Sequence, residues 1–340
     1  MKRILFIPPG IQGGWYMEAH YEYLIRYLSD EFFIEQAQVP YPPYDNFLDR
    51  FPETSPLERN PDDYDLIIPI LPSHWGLADD QHEKYSKKVA VIMYEPGEGD
   101  WWRAEYLGLT TPVVEAGDYS GKKAWSLRFG IDTELFKPIK MKREDDLLHI
   151  GVIGSYGNPR RQVIEGMKPL FDMPGVKWDF YPVSWVNKGG TPETIERLGG
   201  RDFINRVVTG GKYWPGIPNL YNRMDVLVRI DNSYGYSFPT LEAASCGVPV
   251  ITTYQGIDHH ITEAGGGILL TPDGAADMLR WPSGGKEEEL VSKLKSAIEF
   301  MRDHPKKRKE MGRLGRQEVT MNWQWKHHID EWRKFLREVA

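Results

Sequence analysis

Cysteine is almost missing from this sequence. A single one, Cys246, stands among 340 residues. No disulfide can form within the chain, and a reducing, cytoplasmic setting is the expectation. Long hydrophobic runs are missing too: no stretch approaches the roughly 20 apolar residues that span a bilayer. That argues against a transmembrane helix in these residues and leaves peripheral membrane contact open. The opening MKRILFIPPG is interrupted by Pro8 and Pro9 before its apolar run reaches signal-peptide length, and it reads as a first strand. There is no basic excess. Net charge is −7; residues 1–138 hold 13 Lys and Arg against 23 Asp and Glu, a balance of −10, and the remainder hold 29 against 26. A nucleic-acid binder is expected to show a basic face, so DNA or RNA is disfavoured as a partner. Zinc spacing is absent as well. His259-His260 and His327-His328 are adjacent pairs whose side chains diverge on a helix, and no metal site is expected.

What is present fits two α/β domains. The chain is too long for most single cores, and 41% hydrophobic with 27% charged residues is ordinary globular composition. KRILFIP, DLIIPIL, KVAVIMY, TPVVEAG and AWSLRFG read as strands of a first half, with Met17, Tyr21, Leu24, Ile25 and Leu28 forming one apolar helical stripe. The charged segment PIKMKREDDLL has no periodicity and reads as a linker. LLHIGVIG, VKWDFYPV, RDFINRVV, MDVLVRI and VPVITT are strand candidates of a second half. QVIEGMKPLF is helix-like. Leu290, Leu294, Ala297, Ile298 and Met301 form a further helical stripe, and WQWKHHIDEWRKFLREV reads as a last amphipathic helix. Alternating strand and helix twice over implies two doubly wound domains, 1–138 and 146–324. Such sheets bind ligands at the carboxyl ends of their strands, and two of them facing each other make a cleft.

Three stretches carry chemistry. In SYGYSFPTLEAASCGVPVITT (Ser233–Thr253), Pro239 suits a first helical turn and Gly247 a helix end, so a helix is expected over Pro239–Cys246. Its start favours an anion. Two readings of Glu242 stand open: it complements the dipole at the surface, or it accepts hydrogen bonds from the vicinal hydroxyls of a ribose whose phosphates meet the helix start. Gly13-Gly14 follows the first strand, where it is either an ordinary turn or a close approach to a ligand. GSYGNPRR (Gly154–Arg161) is a strand-to-helix turn followed by Arg160 and Arg161, whose guanidinium forks suit phosphate oxygens. Asp63-Tyr64-Asp65 spells the metal-binding D-x-D of some sugar transferases, but its Pro-Asp setting favours a turn. His74, Trp75, Tyr94, Glu95, Trp101 and Trp102 follow first-half strands. They are read as packing residues or as a rim on which an acceptor stacks.

In order, these segments resemble a family-4 retaining glycosyltransferase of the GT-B fold, along nearly the whole chain. GGWYMEAH (Gly13–His20) is similar to its glycine-rich loop and first helix. RFGIDTELFKP (Arg128–Pro138) resembles the ending of its first domain. YNRMDVLVRIDNSYGYSFPTLEAASCGVPVITT resembles its most diagnostic segment. The resemblance implies two facing Rossmann-like domains with a cleft between them, and a last helix, 325–340, that returns to the first domain. It implies Glu242 on the ribose hydroxyls, Arg160 in place of a diphosphate-binding lysine, and Gly13 and Gly14 against the sugar or its β-phosphate. The expected donor site adds Ser155, Arg161, Tyr234, Gly235, Tyr236, Ser237 and Phe238, and the expected acceptor site is Trp15, His74, Trp75 and Trp101. Glu95, Arg160 and Glu242 are the expected catalytic residues.

Three positions depart from that pattern. Tyr234 stands where the family has the first of two glutamates with seven residues between them, Ser155 where it has an arginine, and Tyr94-Glu95 where it often has His-Asp. The implied reaction moves a sugar from a UDP- or GDP-linked donor to a hydroxyl of a small molecule, glycan or glycoconjugate. It uses neither metal nor resident cofactor, with the leaving diphosphate stabilised by the helix dipole and arginine. Two other readings remain. An NAD(P)-dependent oxidoreductase would use GVIGSYG as its glycine-rich turn and Asp179 as its ribose acid, without the G-x-G-x-x-G spacing. A nucleotide-sugar-binding protein impaired in catalysis would follow from Tyr234 and Ser155.

Overall fold

The computed structural model describes residues 1–7, 16–36, 60–69, 84–85, 88–93, 104–110, 119, 121–143, 145–154, 167–182, 213–230, 237–253, 258–271 and 287–340. It divides into two compact units, Met1–Gly130 with Trp325–Ala340, and Ile131–Gln324.

In the first unit, β1 (Lys2–Ile7) lies between β2 (Phe32–Gln36) and β3 (Leu66–Pro69). β4 (Ala90–Met93), β5 (Tyr106–Leu109) and β6 (Lys123–Ser126) form a second run. Every pairing is parallel, and a bridge from Ile67 to Val89 joins the two runs. Ile4, Leu5, Ile67, Val91 and Leu107 are buried, as a parallel sheet covered on both faces requires. α1 (Tyr16–Leu28) buries Leu24 and Leu28 of the expected stripe. Asp63-Tyr64-Asp65 is turn chemistry. The Asn60 side chain caps a 3-10 turn at Pro61–Asp63, Tyr64 is buried, and the Asp65 carboxylate accepts from the Arg3 amide at 2.8 Å.

The second unit is built on β7 (Leu148–Gly154), β8 (Val176–Pro182), β9 (Val226–Arg229), β10 (Val250–Thr253) and β11 (Gly267–Leu270). They are all parallel, in the order β11-β10-β9-β7-β8. Its helices are α2 (Tyr213–Arg223), α3 (Phe238–Ser245), α4 (Asp258–Glu263), α5 (Glu287–Asp303) and α6 (Pro305–Asn322). The whole predicted stripe of α5, Leu290 to Met301, is buried against Ile150, Trp178, Phe180 and Val228. The strand candidates TPVVEAG and RDFINRVV lie outside the described residues. Of QVIEGMKPLF, the described part is a 3-10 turn at Lys168–Leu170 rather than an α-helix.

α7 (Trp325–Val339) belongs to the first unit. It buries Trp325, Trp332, Phe335 and Leu336 against Trp125 and Phe129, and the Trp332 indole donates to the Arg128 carbonyl at 2.8 Å. Arg333 and Arg337 converge on Glu31 at 2.5–2.8 Å. Gly130 is required by space, since a β-carbon there would stand 2.2 Å from the Trp325 backbone nitrogen.

Candidate functional site

In the second sheet, β7 has β8 on one side and β9 on the other, so the strand order reverses between β7 and β9. The crevice outside the carboxyl ends of strands at such a reversal is where doubly wound sheets bind ligands. α3 connects β9 to its parallel neighbour β10. A helix returning between two parallel strands starts at their carboxyl ends, so the start of α3 belongs to that crevice.

The local sequence explains α3. Pro239 occupies its first turn, and Gly247 ends it in the left-handed region with φ +76°. The Gly247 amide donates to the Ala244 carbonyl at 2.9 Å and the Val248 amide to the Ala243 carbonyl at 2.9 Å, a Schellman ending. The helix begins and ends one residue earlier than expected, Phe238 in place of Pro239 and Ser245 in place of Cys246. That is the ordinary uncertainty of helix boundaries read from caps. Ser237, fully buried, turns its hydroxyl to Thr240 Oγ1 at 2.8 Å and caps no backbone N–H. The positive end of α3 is therefore left without a side-chain cap from Ser237.

Glu242 sits in the second turn and is only 2% exposed. This overturns the surface reading: a carboxylate that merely complements a dipole stays in water, because burying a charge is costly unless it is paired or hydrogen-bonded. The Tyr221 hydroxyl of α2 donates to Glu242 Oε2 at 2.5 Å. One turn on, burial pushes the Cys246 thiol up to about 12, with the negative charge of Glu242 adding to the effect and Arg316 opposing it. The Ser245 hydroxyl donates to the Phe136 carbonyl at 2.5 Å, and Arg316 donates to that same carbonyl at 3.2 Å and to the Ser245 carbonyl.

Phe136 lies in the RFGIDTELFKP segment. The Asp132 carboxylate accepts from the Glu134 and Leu135 amides at 2.9 and 3.0 Å, and its carbonyl accepts from the Phe136 amide at 2.9 Å. That turn sets Phe136 edge-on to Tyr221, with centroids 6.1 Å apart. Asn222 fastens the next residues, donating to the Lys137 carbonyl at 3.0 Å and accepting from the Ile139 amide at 2.6 Å.

Of the expected site residues, Ser237, Phe238 and Glu242 are thus brought to one helix. Gly13, Gly14, Trp15, His74, Trp75, Glu95, Trp101, Ser155, Arg160, Arg161, Tyr234, Gly235 and Tyr236 lie outside the described residues. Tyr221, Phe136 and Arg316 were not singled out from the sequence. Asp179 does not fit the role of a dinucleotide ribose acid. It pairs with Gly151 in mid-strand, and its carboxylate meets His149 Nδ1 at 3.1 Å. Among the described residues, no group of three or more His, Cys, Asp or Glu side chains is arranged to hold a metal ion.

Residues 191–334 match a family model described as glycosyl transferase-like. No curated protein matches the chain. Its fold is GT-B, as in several solved structures. Sucrose-phosphate synthase from Thermosynechococcus elongatus is 15% identical with a TM-score of 0.68, over 99% of both chains. HepE of Anabaena, solved in complex with UDP-glucose, is 15% identical with a TM-score of 0.65, over 99% of this chain and 100% of that one. A glycosyltransferase from Rickettsia africae is 14% identical with a TM-score of 0.62, over 99% of this chain and 98% of that one. The matched region, 191–334, contains all of α3 and both of the residues that meet at its buried carboxylate, Tyr221 and Glu242.

Proposed function

We propose that this protein is a glycosyltransferase that moves a sugar from a UDP- or GDP-linked donor to an acceptor hydroxyl with retention at the anomeric carbon. The observation that carries this reading is Glu242, a carboxylate buried in α3 while the start of that helix, uncapped by Ser237, belongs to the crevice at the strand-order reversal. A ribonucleoside diphosphate satisfies both features, its vicinal hydroxyls on the acid and its phosphates on the helix dipole. The UDP-glucose held by HepE supports a sugar nucleotide as donor.

In this reading Glu242 binds and orients the ribose. The α3 dipole and Arg160 stabilise negative charge as the diphosphate departs, and the departing phosphate takes the proton of the attacking hydroxyl. Ser155, Arg161 and the turn Tyr234-Gly235-Tyr236 complete the donor site, Gly13 and Gly14 approach the sugar, and Glu95 does local polar work. Trp15, His74, Trp75 and Trp101 hold a small-molecule, glycan or glycoconjugate acceptor.

Thermal shift with UDP, GDP and NAD tests the reading. UDP or GDP is expected to raise the melting temperature of the wild type and not that of Glu242→Ala, and NAD to raise neither. Stabilisation by NAD alone would overturn it. Arg160→Ala is expected to lower turnover at least about tenfold at unchanged stability. A second reading rests on Tyr234, where the family has a glutamate: nucleotide binding without sugar transfer or donor hydrolysis would establish a binding protein instead.

A further inference from the structure

The partner of Glu242 is the part of this site that the nucleotide reading leaves unused. Tyr221 and Glu242 are 21 residues apart on different helices, 1% and 2% exposed, and joined by a short hydrogen bond of 2.5 Å from hydroxyl to carboxylate. Bonds of this charge-assisted kind are stronger than neutral ones and fix geometry. The tyrosine ring is itself held. Phe136 packs edge-on against it, and the Phe136 carbonyl is bonded by Ser245 of α3, three residues beyond Glu242. The contacts close a circuit that leaves α3 at Ser245, passes through Phe136 and Tyr221, and returns to α3 at Glu242. The RFGIDTELFKP segment thereby acquires a role: its Asp132 turn sets Phe136, which braces the tyrosine.

We infer that Tyr221 is a positioning residue that holds the Glu242 carboxylate in the orientation that accepts hydrogen bonds from a vicinal diol, so that ribonucleotides are preferred over 2′-deoxyribonucleotides. The inference rests on the ribose reading of Glu242. An ionised carboxylate has about four acceptor positions. One is used by Tyr221, and that bond contributes to setting which way the carboxylate faces. Removing the hydroxyl takes that constraint away, and the carboxylate's bonds to both ribose hydroxyls are expected to weaken together.

Isothermal titration of UDP, GDP and their 2′-deoxy counterparts into wild type, Tyr221→Phe, Glu242→Gln and the double variant tests this. Tyr221→Phe keeps the ring on Phe136 and removes only the hydroxyl. It is expected to weaken the better ribonucleotide about tenfold and to shrink the ribo-to-deoxy preference at least about threefold. Glu242→Gln is expected to abolish the preference, with no further loss in the double variant. A purely packing role for Tyr221 predicts a lower melting temperature with the preference intact. That result, beside a Glu242→Gln variant that loses the preference, overturns the inference and leaves the ribose reading standing. A preference that survives Glu242→Gln, or no binding of either diphosphate at millimolar concentration, removes the ribose reading and the inference with it. If Tyr221→Phe does not fold, Phe136→Leu loosens the same ring and keeps the hydroxyl; an unchanged preference in that variant likewise overturns the inference.

Discussion

A β-carbon at position 312 would stand 2.0 Å from the carbonyl oxygen of Gly247. Backbone cannot yield as a flexible side chain does, so Gly312→Ala is expected to destabilise the second unit by about 1–3 kcal/mol or more, read as a lower midpoint in urea. The site depends on the same contact, because Gly247 closes α3 and α6 lies against that closing turn. At this scale the sequence was informative about Glu242 and silent about Tyr221. A carboxylate after a Pro-initiated, Gly-terminated helix announces itself through its own neighbours. Its partner is chosen by how α2 packs on α3, and no local pattern encodes a meeting across 21 residues. Asp179 shows the converse. Its spacing suited a ribose acid, and only the position of His149 on the adjacent strand reveals that its carboxylate is already engaged.

Elements were legible where apolar side chains mark them. The continuous runs of β3, β4, β7, β9 and β10 and the stripe of α5 stand out as hydrophobic patterns in the amino-acid order itself. α6 does not, because its buried positions are Gly312, Gly315 and Val319, and glycine leaves no mark in a hydrophobic stripe. α2 is hidden by Pro215, Gly216 and Pro218, which read as breakers. Two element-level predictions concern pH. Hydrogen bonds from Arg337 first, and then from Arg333, hold the Glu31 carboxyl at about 2. Its unfolded value is about 4.3. The contribution of this contact to α7 docking is therefore complete above that value and lost as pH falls towards 2. Glu31→Gln is expected to flatten that part of the acid denaturation curve followed by tryptophan fluorescence. His149 has the opposite sign. Its hydrogen bond to Asp179 first, then that to Asp145, raises its pKa against the effect of burial. Its contribution is present below the unfolded value of about 6.5 and disappears as pH rises through the raised one. The neighbouring charges are Lys177 on Asp145, and Asp225, which accepts from the His149 amide and pairs with Arg143 and Arg308. The melting-temperature gap between wild type and His149→Gln should narrow from pH 6 to pH 9.

For the whole molecule, the alternation of strand and helix and the order of the segments RFGIDTELFKP and SYGYSFPTLEAASCGVPVITT made the two-unit α/β class readable from sequence alone. Sugar transfer by the proposed route uses a helix dipole and arginine on the diphosphate, so EDTA is expected to leave the rate unchanged within about twofold. A loss restored by Mg²⁺ or Mn²⁺ would contradict it. Trp325–Ala340 packs with Met1–Gly130, whereas Ile131–Gln324 is one uninterrupted stretch. During synthesis the first unit is therefore expected to finish folding later than its amino-terminal position alone implies. The second unit is synthesised before the segment that gives the first Trp325, Trp332 and Phe335, and until then Trp125 and Phe129 await the aromatic rings they pack against. The amino-terminal unit is thus completed only after Ile131–Gln324 has been made, and its aromatic face stays open until then.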